Sequence, residues 1–178
     1  MSDEEYAFLP YQVRWASETH PVVIAEKSRR IGFTWGTAAL CALNAMSSNG
    51  RDSWYVGYNR AMSAEFINDC AYWTEVFHGG LEALEMGDLI YPHGKREECI
   101  FTYQLRYASG HKIVALSSRP SELRGKGGDV IIDEAAFHRD LAELMKSAMA
   151  LTIQGARVMV ISTHDGDLNP FQRNRCLG

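Results

Sequence analysis

A chain of 178 residues with 46% hydrophobic and 22% charged residues has the proportions of one globular domain with a real core. No apolar run reaches the ~18 residues of a membrane helix, and the acidic start "MSDEEYAFLP" has no apolar stretch to serve as a secretory signal, so a cytoplasmic protein without a membrane partner is expected. The net charge of -4 excludes a global pull toward nucleic acid, although between positions 90 and 128 seven Lys/Arg face three acids, a local basic surplus on an acidic body.

The segment "LPYQVRW" places Tyr11 and Trp15 four apart, as on one helix face. This is either a core stripe or a site in which Tyr11 stacks on a base and Gln12 reads the edge of an adenine. "PVVIAEK" (21–27) reads as a buried strand, and "TWGTAALCALNAM" (34–46), rich in helix formers, as a helix. After the turn cluster "SSNGRDS" comes a second strand, "WYVGY" (54–58), and a long helix over 61–77. From Cys99 to Tyr107 apolar and polar residues alternate, "ASG" turns the chain, and "HKIVALSS" returns it. The pattern predicts a β-hairpin around 97–117, either an insertion or a sheet edge. "DVIIDE" (129–134) is an apolar strand ending in two acids, 140–151 a helix, and "ARVMVIST" (156–163) a further strand. Strands alternating with helices predict an α/β fold, a mostly parallel central sheet flanked by helices. Four scattered cysteines without metal-ligand spacing read as reduced and packed.

Three constellations carry chemistry. "KSRRIGFTW" (27–35) matches the phosphate-loop spacing G-x-x-x-x-G-K-[ST] at Gly32 and Thr34, but Lys27 stands at the first glycine and Phe33 at the lysine. A loop that opens a helix presents free N–H groups to an anion, and Thr34 can offer a hydroxyl to Mg2+. The missing cation must then come from Lys27, with Arg29 and Arg30 as competitors. "VIIDE" ends a buried strand in Asp133 and Glu134, a pattern suited to one carboxylate on Mg2+ and one on the attacking water. "VMVISTHDG" ends a strand in Ser162 and Thr163, which a doubly wound sheet would bring to the same crevice. His164 and Asp165 read as turn residues. Arg119 and Arg124, in "SSRPSELRGKGG", are candidates for a charge-stabilising arginine or a DNA-backbone contact.

In this order the motifs "LPYQVRW", "KSRRIGFTW", "LRGKGGDVIIDEAAF" and "ISTHDGDLNPF" resemble the large subunit of tailed-bacteriophage terminases, from about Leu9 to Phe171. The resemblance implies a RecA-like phosphate-loop ATPase of the ASCE type that binds ATP and Mg2+. It makes Lys27 the phosphate lysine in a loop of Ser28, Arg29, Arg30, Ile31, Gly32, Phe33 and Thr34. Thr34 and Asp133 become the magnesium residues, Glu134 the catalytic base, Ser162 and Thr163 the coupling pair, and Tyr11 and Gln12 the adenine motif. It further implies translocation of double-stranded DNA into a procapsid, with a portal protein and a small terminase subunit as partners, a homo-oligomeric ring on the portal, and the host cytoplasm as the setting. Residues 1–178 are expected to form a single ATPase domain, possibly cut short on its C-terminal side, without the family's nuclease domain. The rivals are a helicase-like lobe and a non-hydrolysing packaging scaffold.

Overall fold

The computed structural model describes residues 8–77, 81–93, 96–165 and Phe171, with backbone alone for 81–93 and 96–101. Three strands dominate the centre because their residues are apolar on both faces. β2 (Ser53–Val56), β6 (Asp129–Ile132) and β7 (Val158–Ser162) are buried at every position, as parallel strands covered by helices on both sides must be. β1 (Val22–Glu26) lies at one margin and is only half-buried. β5 (Lys112–Leu116) continues the parallel set beyond β2, β4 (Arg96–Tyr107) runs antiparallel to β5, and β3 (Leu81–His93) runs antiparallel to β4 at the far edge. The resulting seven-stranded sheet has the order β1-β7-β6-β2-β5-β4-β3.

Period-two alternation divides the core. Tyr55, Ile131, Met159 and Ile161 face α2 (Phe33–Met46) and α3 (Arg60–Val76), while Trp54, Val130, Ile132, Val158 and Val160 face α4 (Leu141–Thr152). Two of these helices start at side-chain caps that satisfy free amides. Asn59 accepts from the Met62 amide at 3.0 Å and Asp140 from the Glu143 amide at 3.4 Å. The short helix α1 (Pro10–Ser17) lies against α2, with Trp15 buried.

The expected hairpin is present as β4 and β5, and β5 is also a member of the parallel sheet, paired with β2 from Ser53↔Ile113 to Val56↔Leu116. The hairpin is therefore an extension of the sheet toward its edge. β3 was not expected from the sequence. Gly87 and Pro92 interrupt its pattern, and Pro is tolerated at the edge position that β3 occupies. Among the described residues no helix is long and apolar enough to cross a membrane. Cys41 and Cys70 are free and buried, and burial pushes the Cys41 thiol up to about 12, which keeps it inert. The side chains of Cys99 and Cys176, and residues 166–170 of the last motif, lie outside the described residues.

Candidate functional site

The loop from Lys27 to Gly32 leaves the carboxyl end of β1 and runs into α2. Gly32 caps α2 with φ 72, a left-handed conformation that glycine adopts without steric cost. Arg30 (φ 58) and Glu134 (φ 49) are the two non-glycine residues with positive φ among the described residues. Both flank the same cleft, and such backbone strain tends to collect at ligand sites.

Behind the loop, α1 acts as a clamp. The Tyr11 hydroxyl donates to the Ile31 carbonyl, Gln12 Nε2 donates to the Gly32 carbonyl at 2.7 Å, and Trp15 Nε1 donates to Thr37 Oγ1 at 3.0 Å. Gln12 Oε1 meanwhile accepts from the Leu9 amide at 2.8 Å. Phe33 fills the space between loop and clamp. Its ring lies parallel to Tyr11, 6.1 Å between centroids and 6° between planes, and 4.9 Å from Trp15. The side chains of Tyr11 and Gln12 are both engaged on loop carbonyls, and neither lines the cleft in front of the loop.

That cleft, of about 280 Å³, is lined by Lys27, Arg30, Gly32, Thr34 and Asp133, and from α3 by Glu65 and Asp69. Lys27 is 7% exposed at its side chain, and its Nζ donates to Glu134 Oε1 at 2.8 Å. Of its competitors, Arg30 lines the cleft; Arg29, like Ser28, is exposed and does not. A cation is thus present at the mouth of a loop that lacks the usual lysine.

Asp133 is fully buried at the end of β6. Its carboxylate accepts from Thr34 Oγ1 at 2.7 Å, from the Tyr55 hydroxyl at 3.0 Å and from the Glu134 amide at 2.8 Å. Burial holds this carboxyl above the usual carboxylate range, opposed by the Thr34 bond and the Lys27 charge. Burial and the neighbouring Asp133 likewise push the Tyr55 hydroxyl well above its ordinary range. Asp133 is also fixed from behind, because His138 Nε2 lies 2.8 Å from its carbonyl.

β7 delivers the third group. The Ser162 hydroxyl donates to the Thr163 carbonyl and accepts from the Ala136 amide, both at 3.0 Å, and the Ser162 carbonyl accepts from the Lys27 amide at 2.9 Å. Thr163 Oγ1 donates to Glu134 Oε2 at 3.3 Å. The two carboxylate oxygens of Glu134 are therefore shared between Lys27 and Thr163. Arg119 and Arg124 do not reach this cleft. Arg119 precedes the 3-10 turn Pro120–Leu123 and Arg124 follows it; both are exposed. His164 lies 3.4 Å from Glu26.

Four residues of the site escaped sequence reasoning. Tyr55 and His138 contribute through long-range bonds that no local pattern signals. Glu65 and Asp69 were open to detection, since carboxylates four apart share a helix face. Burial, and then the Glu65 charge, raise the Asp69 carboxyl to about 6. Thr34 and Asp133 together form a hard oxygen donor set that suits Mg2+. No group of three or more His, Cys, Asp or Glu able to hold a metal occurs among the described residues.

No protein-family model matches the chain. It is 45% identical over 177 residues to the Mu-like prophage FluMu protein gp28 of Haemophilus influenzae, covering 96% of this chain and 34% of that protein. It is 46% identical over 173 residues to the probable terminase large subunit gp28 of Escherichia phage Mu, covering 95% and 31%. The chain thus spans about a third of the length of the curated relatives it matches. Among solved structures, the large terminase ATPase domain of Thermus phage P74-26 superposes with a TM-score of 0.61 at 18% identity, covering 93% of this chain and 68% of that one. The large terminase of a thermophilic bacteriophage in complex with ADP superposes with a TM-score of 0.58 at 15% identity, covering 92% and 40%. The fold is that of large terminase ATPase domains.

Proposed function

We propose that this chain, similar along about a third of their length to two gp28 proteins of which one is a probable terminase large subunit, is the ATP-hydrolysing unit of a DNA-packaging motor. The observation that carries the reading is one hydrogen-bonded cluster. Lys27, Thr34, Asp133, Glu134 and Thr163 meet at the carboxyl ends of β1, β6 and β7, where open α/β sheets bind their ligands. The amides of the loop and the N-terminus of α2 would receive the phosphates of ATP, and Lys27 would supply the charge that Phe33 lacks. Thr34 and Asp133 would hold Mg2+, which supplies charge neutralisation on the phosphates when bound.

Glu134 would be the base that orients the attacking water. Its contact with Lys27 matters to this role, because an incoming phosphate competes with Glu134 for the same ammonium. Phosphate binding would thereby release one carboxylate oxygen toward water, while Thr163 keeps the other and links the site to β7. Double-stranded DNA, a portal protein and a small terminase subunit are the partners this reading assigns to the assembled protein, with Arg119 and Arg124 as its candidates for a charge-stabilising arginine or a DNA contact.

The test pairs binding with turnover. Glu134→Gln should retain Mg-ATP binding within a few-fold and lose hydrolysis by about a hundredfold or more, the range of a positioned acid-base group. Hydrolysis equal to that of the unaltered chain would assign the base elsewhere, and an unaltered chain that binds but never hydrolyses would favour a scaffold.

A further inference from the structure

β2 carries a tyrosine, Tyr55, at a completely buried position where a phenylalanine would fill the same space. A hydroxyl in such a place is costly unless it is paired. Tyr55 is registered with Ile131 of β6, and the Asp133 amide continues that pairing by donating to the Val56 carbonyl at 3.1 Å. Asp133, two residues beyond Ile131, therefore projects from the same face as Tyr55. The Tyr55 hydroxyl reaches its Oδ2 at 3.0 Å. The ring is held in that direction from two sides. It stacks on Phe66 of α3 with centroids 3.8 Å and planes 9° apart, and it passes so close to Gly57 that a Cβ there would meet its Cε1 at 2.9 Å.

This hydroxyl decides how Asp133 is presented. An ionised carboxylate has about four acceptor positions, two on each oxygen. Oδ2 accepts from both Thr34 Oγ1, at 2.7 Å, and Tyr55, while Oδ1 accepts from the Glu134 amide at 2.8 Å. By that inventory Oδ2 is full, and Oδ1 is the oxygen left for a cation or for its water. Thr34 holds Oδ2 from α2, and Tyr55 holds it from inside the sheet.

We propose that Tyr55 is a positioning residue for magnesium, its hydroxyl orienting the Asp133 carboxylate toward the ion that accompanies ATP. The proposal rests on the ATPase reading above. In this role Tyr55 acts through Asp133, by occupying Oδ2 so that Oδ1 remains available. A tyrosine with a purely structural role predicts something else, because the loss of its hydroxyl then costs stability alone. Tyr107 supplies the comparison. It is buried in β4, its hydroxyl pairs with Thr74 Oγ1 at 2.9 Å, and it does not line the loop cleft, which Tyr55 does.

The test is calorimetric titration of ATP in excess Mg2+ and again in EDTA, for the unaltered chain, Tyr55→Phe and Tyr107→Phe. Both substitutions keep the ring and remove one oxygen, and thermal melts establish that each variant is folded. Tyr55→Phe should bind metal-free ATP within about twofold of the unaltered chain, while the gain in affinity from Mg2+ shrinks about tenfold, the scale on which partners behind a metal ligand act. Tyr107→Phe should keep both affinities within about twofold, although its melting temperature also falls. A Mg2+ gain that Tyr55→Phe leaves unchanged, or that Tyr107→Phe reduces equally, overturns the proposal and leaves the ATPase reading intact. So does a loss of metal-free binding as large as the loss with Mg2+, which would make Tyr55 a support of the cleft as a whole. Binding by the unaltered chain that ignores Mg2+ likewise overturns the proposal alone. If the unaltered chain binds no ATP in either buffer, the ATPase reading fails and the proposal falls with it.

Discussion

Phe33 stands where a standard phosphate loop has its lysine, and Lys27 where it has its first glycine. Phe33 is committed to the aromatic clamp with Tyr11 and Trp15, and Lys27 enters the same cleft from the end of β1. Restoring a lysine at position 33 should therefore not improve the site. Phe33→Lys is expected to lower stability by about 1–2 kcal/mol, because a half-buried ring loses its partners and a charge takes its place. It should leave Mg-ATP affinity unchanged or weaker. A tighter site in that variant, measured by calorimetry, would mean that the clamp is dispensable and the loop was waiting for its lysine. The residues that carry charge or a hydroxyl at a strand end (Lys27, Asp133, Glu134, Ser162, Thr163), and Thr34 at the start of α2, were legible in the sequence, because the carboxyl ends of strands in a doubly wound sheet converge. The engagement of Tyr11 and Gln12 with loop carbonyls was not. It depends on how α1 lies against α2, which no spacing within α1 encodes.

At the scale of elements, α3 is the piece whose chemistry was least visible. Its length and position were apparent from the run 61–77, one residue off the observed Arg60–Val76 at each end, as were the apolar strands β6 and β7. What the pattern hid was that both sides of its first turns face open space, so that Glu65 and Asp69 meet the loop cleft. Asp69 offers a test of that placement. Its carboxyl is raised to about 6 in the folded chain, against about 4 when unfolded. The folded state thus binds more protons between these values, and stability falls as pH rises through them. Asp69→Asn removes this effect. Its stability advantage over the unaltered chain should be near zero at about pH 4 and reach about 1 kcal/mol above about pH 7, a discounted figure for a group that water screens. Melting temperatures should then differ by about 2–4 °C at the higher pH. A pH-independent difference would show that Asp69 is not held by burial and by Glu65. β3 marks the opposite limit of legibility. An edge strand broken by Gly87 and Pro92 has no periodic signature, and only the antiparallel register with β4 defines it.

For the whole molecule, the sheet order sets the site. β7 lies between β1 and β6, so Ser162 and Thr163 at its end stand between Lys27 and the two acids. Thr163 touches Glu134 directly through the 3.3 Å bond, and β7 is paired in parallel with β6. All of this depends on ATP occupying the Lys27 cleft. The most direct measurement is a calorimetric titration of Mg-ATP into the unaltered chain and into Lys27→Ala. Binding by the unaltered chain with a loss of roughly a hundredfold in the variant, the scale of a charge-assisted phosphate contact, is the predicted result. Equal affinity in the two proteins, or no binding in either, would contradict the account.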